Sequence, residues 1–103
     1  MDYPIIYKLI LSAEWQTARK EGIYEGSALD QADGYMHCST HDQIQGTLDK
    51  FFTGQTDVIL LSIDTDKIKQ HLKWEKSPRS GRIFPHIYGP LPINAVIKQE
   101  KIT

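Results

Sequence analysis

A single cysteine, Cys38, occurs in 103 residues, so no internal disulfide can staple the fold. That poverty predicts a reducing compartment, the cytoplasm. Long apolar runs are missing as well. The longest, Val58 to Leu61, falls far short of the ~20 residues a membrane-spanning helix needs. The first residues lack a basic segment followed by an apolar stretch, so neither a signal peptide nor a membrane partner is expected. There is no excess of either charge: 12 Lys and Arg stand against 13 Asp and Glu, a net charge of −1 with neutral histidine. An extended nucleic-acid surface is therefore not indicated. A short basic group, Lys73, Lys76, Arg79 and Arg82, reads either as a solvated loop or as contacts for a few phosphates. No CxxC is present, and His37 and His41, though four apart, straddle a strand–helix junction; no metal site is expected. The G-x-S-x-G, P-loop and G-x-G-x-x-G signatures are absent too. With no repeats, linkers or low-complexity stretches, residues 1–103 read as one domain able to bury a real core.

What is present is a mixture of strand-like runs and short helical segments. Ile5 to Leu11 is rich in β-formers, with Lys8 sharing a face with Ile6 and Ile10 and either snorkelling out or pointing into a polar site. Ser12 caps a predicted helix to about Lys20, with Trp15 and Ala18 inward and Gly22 as its stop. Glu25 to Asp30 reads as a helical turn before the Asp33-Gly34 turn, followed by a strand from Tyr35 to Ser39. Thr40-His-Asp-Gln43 is a capping box. Behind it Ile44, Leu48, Phe51 and Phe52 recur at helical spacing, which predicts one buried stripe ended by Gly54. Val58 to Ile63 predicts a central strand covered on both faces. Asp64 or Thr65 caps a short helix with Ile68 and Leu72 inward, and Lys73 to Lys76 forms a strand. A strand over Ile83 to Tyr88 is placed at an edge or bulge by Pro85, and Ala95 to Ile102 closes the chain as a last strand. Without strict βαβ alternation the class is α+β.

Two segments carry the chemistry: Asp33-Gly-Tyr-Met-His-Cys-Ser-Thr40 and Phe84-Pro-His-Ile-Tyr-Gly-Pro-Leu91. Alternate residues of a strand share a face, so Tyr35, His37 and Ser39 point one way and Met36 and Cys38 the other. Phe84, His86 and Tyr88 likewise share a face opposite Ile83 and Ile87. Imidazole and hydroxyl groups both donate and accept, which suits a ribose or a phosphate; a half-exposed sheet face with incidental polar residues explains the same pattern. Trp74 reads as core or as a stacking ring, and Glu75 opposite it as a carboxylate for polarising a histidine or binding a ribose diol. Alternation puts Cys38 in the core, where a thiol is inert. The two histidine faces are expected on neighbouring strands or facing sheets, lining one cleft.

The succession Tyr7-Lys-Leu, Trp15, Gly22, Asp30-x-x-Asp-Gly-Tyr-Met-His-Cys-Ser-Thr40, Thr47, Phe51-Phe52, Trp74-Glu75 and Phe84 to Leu91 resembles the small bacterial family catalogued as domain of unknown function nine-five-two. The resemblance spans nearly the whole chain. It implies an ADP-ribosyltransferase-like fold of two small, twisted, mainly antiparallel sheets with short helices and an NAD-binding cleft between the sheets. The run Met36-His-Cys-Ser-Thr40 is also similar to a strand of RNA 2′-phosphotransferases, which use NAD; their first strand carries a His-Gly-Thr-like element where this chain has Tyr7-Lys8-Leu9. On these likenesses the protein is an NAD- or nucleotide-binding transferase with His37 and Glu75 as catalytic residues. Lys8, Tyr35, Ser39, Trp74, Arg82, His86 and Tyr88 are its ligand-binding candidates. Glu100 is the other candidate for the toxin-type catalytic glutamate, and Arg82 is the candidate for the second catalytic arginine of the RNA 2′-phosphotransferases. The alternative is a binding or interaction domain that kept the cleft without the chemistry.

Overall fold

Val58-Ile-Leu-Leu-Ser-Ile63 is apolar almost throughout because a strand at the centre of a sheet is covered on both faces. The computed structural model, which describes residues 3–78 and 80–103, makes this run β4 (Val58–Asp64). It lies between β1 (Ile5–Leu11) and β8 (Val96–Lys101) in an antiparallel sheet. A second three-stranded antiparallel sheet has the order β3 (Met36–His37), β6 (Ile83–Ile87), β5 (Leu72–Lys76). A separate two-stranded ladder pairs β2 (Ile23–Tyr24) with β7 (Leu91–Pro92), which the expected pair of sheets did not include. The helices are short: α1 (Ser12–Glu21), α2 (Ala28–Asp33) and α3 (Ile44–Phe51). The class is α+β. None of the described helices is long and apolar enough to cross a membrane. Arg79 of the basic group lies outside the described residues.

One core runs between the sheets. Ile6 and Ile10 from β1, Trp15 and Ala18 from α1, Leu61 and Ile63 from β4, Met36 from β3 and Ile87 from β6 are all buried in it. Gly22 ends α1 and Gly34 ends α2, each in the left-handed region that glycine adopts without steric cost. The Gly34 turn sends the chain straight into β3.

Four sequence expectations are corrected. Ser12 is the first residue of α1 rather than its cap; Leu11 occupies the cap position and makes no side-chain capping bond. The Thr40–Gln43 capping box is present, but it opens a 3-10 turn (His41–Gln43) that leads into α3. The apolar stripe of α3 is only partly covered. Ile44, Leu48 and Phe52 are half-buried and Phe51 is 45% exposed, because the helix lies over the margin of β1. Finally, β6 is the central strand of its sheet despite Pro85. A strand residue sends its N–H and C=O to the same neighbour. The Pro85 carbonyl accepts the Cys38 N–H at 3.1 Å, so the missing donor faces the same flank, just past His37 where β3 ends. Only the reciprocal bond to the Cys38 carbonyl is lost, and the ladder with β5 is untouched.

Cys38 is buried, and burial pushes its thiol up to about 12. A thiol reagent at neutral pH is therefore expected to label the folded protein slowly and the urea-unfolded protein fast. Cys38→Ala is expected to cost about 1–2 kcal/mol in urea unfolding and to leave the surface sites intact. Labelling of the folded form at the unfolded rate would contradict this placement.

Candidate functional site

Register brings the two histidine segments together. His37 on β3 lies directly opposite His86 on β6, and Lys73 on β5 lies opposite His86 on its other side. These three residues therefore share one face of the sheet. The His37 and His86 rings meet edge to face with centroids 5.6 Å apart. Tyr35, delivered by the Gly34 turn, stacks on His86 at 4.1 Å and contacts both His37 at 4.9 Å and Tyr88 at 5.2 Å.

Glu75 is the electrostatic centre of this face. Its Oε1 accepts a hydrogen bond from His86 Nδ1 at 2.7 Å and another from the Tyr88 hydroxyl at 2.6 Å. The Tyr88 bond first, and the His86 bond second, hold the Glu75 carboxyl below its ordinary value, so it is an anion at neutral pH. The same bond pushes the Tyr88 phenol up to about 12, which keeps it a donor. Tyr35 is raised as well, first by burial and then by the charges of Asp33 and Glu75. Lys73 Nζ sits 4.7 Å from the centre of the Tyr88 ring. A second histidine–carboxylate pair stands beside the first, with His37 Nε2 2.7 Å from Asp33 Oδ2. A hollow of about 250 Å³ opens on the flank of Tyr35, bordered by Gly34, Met36, Ile87, Gly89 and Pro90.

His37, Tyr35, Glu75, His86 and Tyr88 are thus gathered on one face, and five other sequence candidates are not. Lys8 points into the body of the domain, where its Nζ lies 2.9 Å from Asp30 Oδ2 and donates to the His37 carbonyl at 2.9 Å. Ser39 follows the end of β3; it is buried and shares a hydrogen bond with Thr47. Trp74, opposite Pro85, lies on the reverse face of the sheet with its ring 5.0 Å from Tyr3. Arg82 precedes β6 at the far end, with its guanidinium 3.9 Å from Asp42. Glu100 belongs to the other sheet. Two members of the cluster went unnoticed as site residues. Asp33 was visible only as a turn former, and Lys73 only as part of a basic group. The third contributor, Asp30, sits behind the site: its Oδ1 accepts the His37 backbone N–H at 3.0 Å and so fixes the strand that carries the imidazole.

Fold and face together define a small α+β protein with a surface cluster of paired histidines and carboxylates. The family described as "Protein of unknown function (DUF952)" matches residues 9–99, and the chain belongs to that family. It is similar to the protein CC0527 from Caulobacter crescentus, with 41% identity. The crystal structure of that protein matches with a TM-score of 0.91 over 96% of this chain and 86% of that one. Its solution NMR structure matches with a TM-score of 0.84 over 97% and 85%. No curated protein matches the chain.

Proposed function

We propose that the Glu75–His86–Tyr35–His37 face binds a nucleotide, NAD or a relative of it, and serves ribosyl transfer as in ADP-ribosyltransferases. The observation that carries this reading is the Glu75 carboxylate, kept anionic by Tyr88 and His86 at the accessible end of an aromatic cluster. The residues suit the nucleoside part of such a ligand: rings for stacking, imidazoles and a hydroxyl for the sugar, and Lys73 for a phosphate. The hollow beside Tyr35, about 250 Å³, is smaller than the ~300–1,000 Å³ usual for drug-sized ligands and fits one ring or sugar rather than a whole dinucleotide. NAD, when bound, supplies a glycosidic bond whose cleavage leaves positive charge on the ribose. In this chain Glu75 opposes positive charge on an adjacent sugar, His86 and Tyr88 fix the direction of that carboxylate, and His37 exchanges hydrogen bonds with a sugar hydroxyl.

A second reading, binding without turnover, is favoured by one feature. His86 is nearly buried and its Nδ1 is committed to Glu75, so the network is satisfied by itself. Titration calorimetry with NAD, ADP-ribose and 2′-phosphorylated RNA, paired with an NAD-consumption assay, separates the readings. The expected result is saturable heat with at least one of them. His37→Ala and His86→Ala should each weaken it by about tenfold, with losses that are coupled rather than additive. Heat without consumption selects the second reading; no heat with any ligand at millimolar concentration rejects both.

A further inference from the structure

We infer that the outer face of the β1–β4–β8 sheet carries a second ligand site, built for a small amphipathic zwitterion of the amino-acid type. This face belongs to a different sheet from the one that carries the histidine cluster. It holds a hollow of about 430 Å³, larger than the one beside Tyr35 and within the size range of small-molecule sites.

The floor of the hollow is apolar for a specific reason. Ser62 pairs with Lys98, but the next β4 residue, Ile63, pairs with Val96, so Ile97 is the extra residue of a β-bulge. In an unbroken ladder Ile97 would oppose Ile63 and face the core. The bulge gives that place to Val96, which packs against the core, and leaves Ile97 54% exposed on the outer face. There it joins Ile5 and Leu60 in the lining. A large aliphatic side chain is thereby committed to the surface of a hollow rather than to the interior.

The polar groups of the hollow match a zwitterion. Ser62 is only 6% exposed, makes no side-chain hydrogen bond among the described residues and lines the hollow. No buried side-chain oxygen among the described residues lacks a partner, so the Ser62 hydroxyl reaches the open space and is free to bond a guest. Lys98 and Glu100 stand two apart on the same strand face with Nζ 3.7 Å from Oε1. Such an exposed pair holds weakly. It opens at little cost to place an ammonium on a carboxylate of the guest and a carboxylate on its ammonium. Tyr7 and His41, edge to face at 5.7 Å, complete one wall with rings that suit an apolar guest side chain. The lining carries one formal charge of each sign, which fits a guest with no net charge.

Amide chemical-shift titrations of the full chain with L-phenylalanine, phenylacetate and phenethylamine test this. L-Phenylalanine should give saturable shifts at Tyr7, Ser62, Ile97 and Lys98, with a dissociation constant on the order of 1 mM. The single-headed compounds should bind about tenfold more weakly. Ile97→Lys, a change at an exposed position, should abolish the shifts while leaving the thermal midpoint and the histidine cluster's signals unchanged. Ser62→Ala should weaken binding with the spectrum otherwise conserved. Absence of saturable shifts with L-phenylalanine, equal affinity for all three compounds, or shifts that instead follow protein dilution, as self-association through this face would give, would each overturn the inference. None of these outcomes bears on nucleotide binding at the other sheet.

Discussion

Asp30→Ala is expected to destabilise the protein by about 3–5 kcal/mol, the range seen when one partner of a buried ion pair is removed. Asp30 and Lys8 are 3% and 5% exposed, with Nζ and Oδ2 2.9 Å apart. Without Asp30, Lys8 is left as a buried, uncompensated cation. The same carboxylate also accepts the Ser27 N–H at the start of α2 and the His37 N–H in β3, so three elements lose a common anchor. Burial acts to raise the Asp30 pKa, but Lys8 beside it and the two backbone donors outweigh that and hold it below its ordinary 3.8. A folded value below the unfolded one means that the unfolded chain binds protons first as pH falls. The contribution is therefore complete above about pH 4 and is lost as pH drops through the lowered value. Urea midpoints of the wild type should fall with acid in that window, and those of Asp30→Asn should fall less. Lys8→Met/Asp30→Leu should recover much of the loss, because two apolar side chains leave no stranded charge. A single substitution costing less than about 1 kcal/mol would show that the pair is not anchoring these elements.

Trp15→Ala should cost about as much, 3–5 kcal/mol, by a different route. Trp15 is the largest fully buried side chain and ties α1 to the core between the sheets. Its indole N–H also donates to the Gln99 side chain on β8. Truncation leaves a cavity that rigid strands on either side cannot close. Denaturation followed by circular dichroism measures the loss. Phe51→Ala, at the half-open margin of α3, should cost only about 1 kcal/mol, since much of its ring is already in water. The reverse order would mean that α3 rather than α1 closes the core.

The histidine face shows how far the sequence could be read. Alternation along each segment correctly separated His37 from Cys38 and His86 from Ile87, because side-chain direction in a strand is a local property. It did not say that Glu75 would meet His86 and Tyr88, since that needs the register of a hairpin between β5 and β6. Alternation did set Trp74 opposite Glu75, but it could not say that the Trp74 ring would meet Tyr3 from the start of the chain. Ser39 looked like a partner of His37 by the same alternation. The strand ends after His37, and Ser39 instead bridges to Tyr7 and bonds Thr47. Lys8 was ambiguous between surface and interior until the carboxylate that neutralises it was located.

By itself, then, the sequence determined the elements whose causes are local. The apolar run of β4, the glycine stops of α1 and α2, the capping box before α3 and the α+β mixture all follow from backbone propensity and short-range spacing. Only the tertiary structure decided which strand was central, which face of α3 stayed open, and which charges met. Those outcomes depend on contacts between residues far apart in the chain, as when the missing Pro85 donor costs only one bond to Cys38 and leaves the ladder with β5 intact. Desolvation decides the rest: Lys8 stays inside because Asp30 arrives there, and Glu75 stays charged because two donors do.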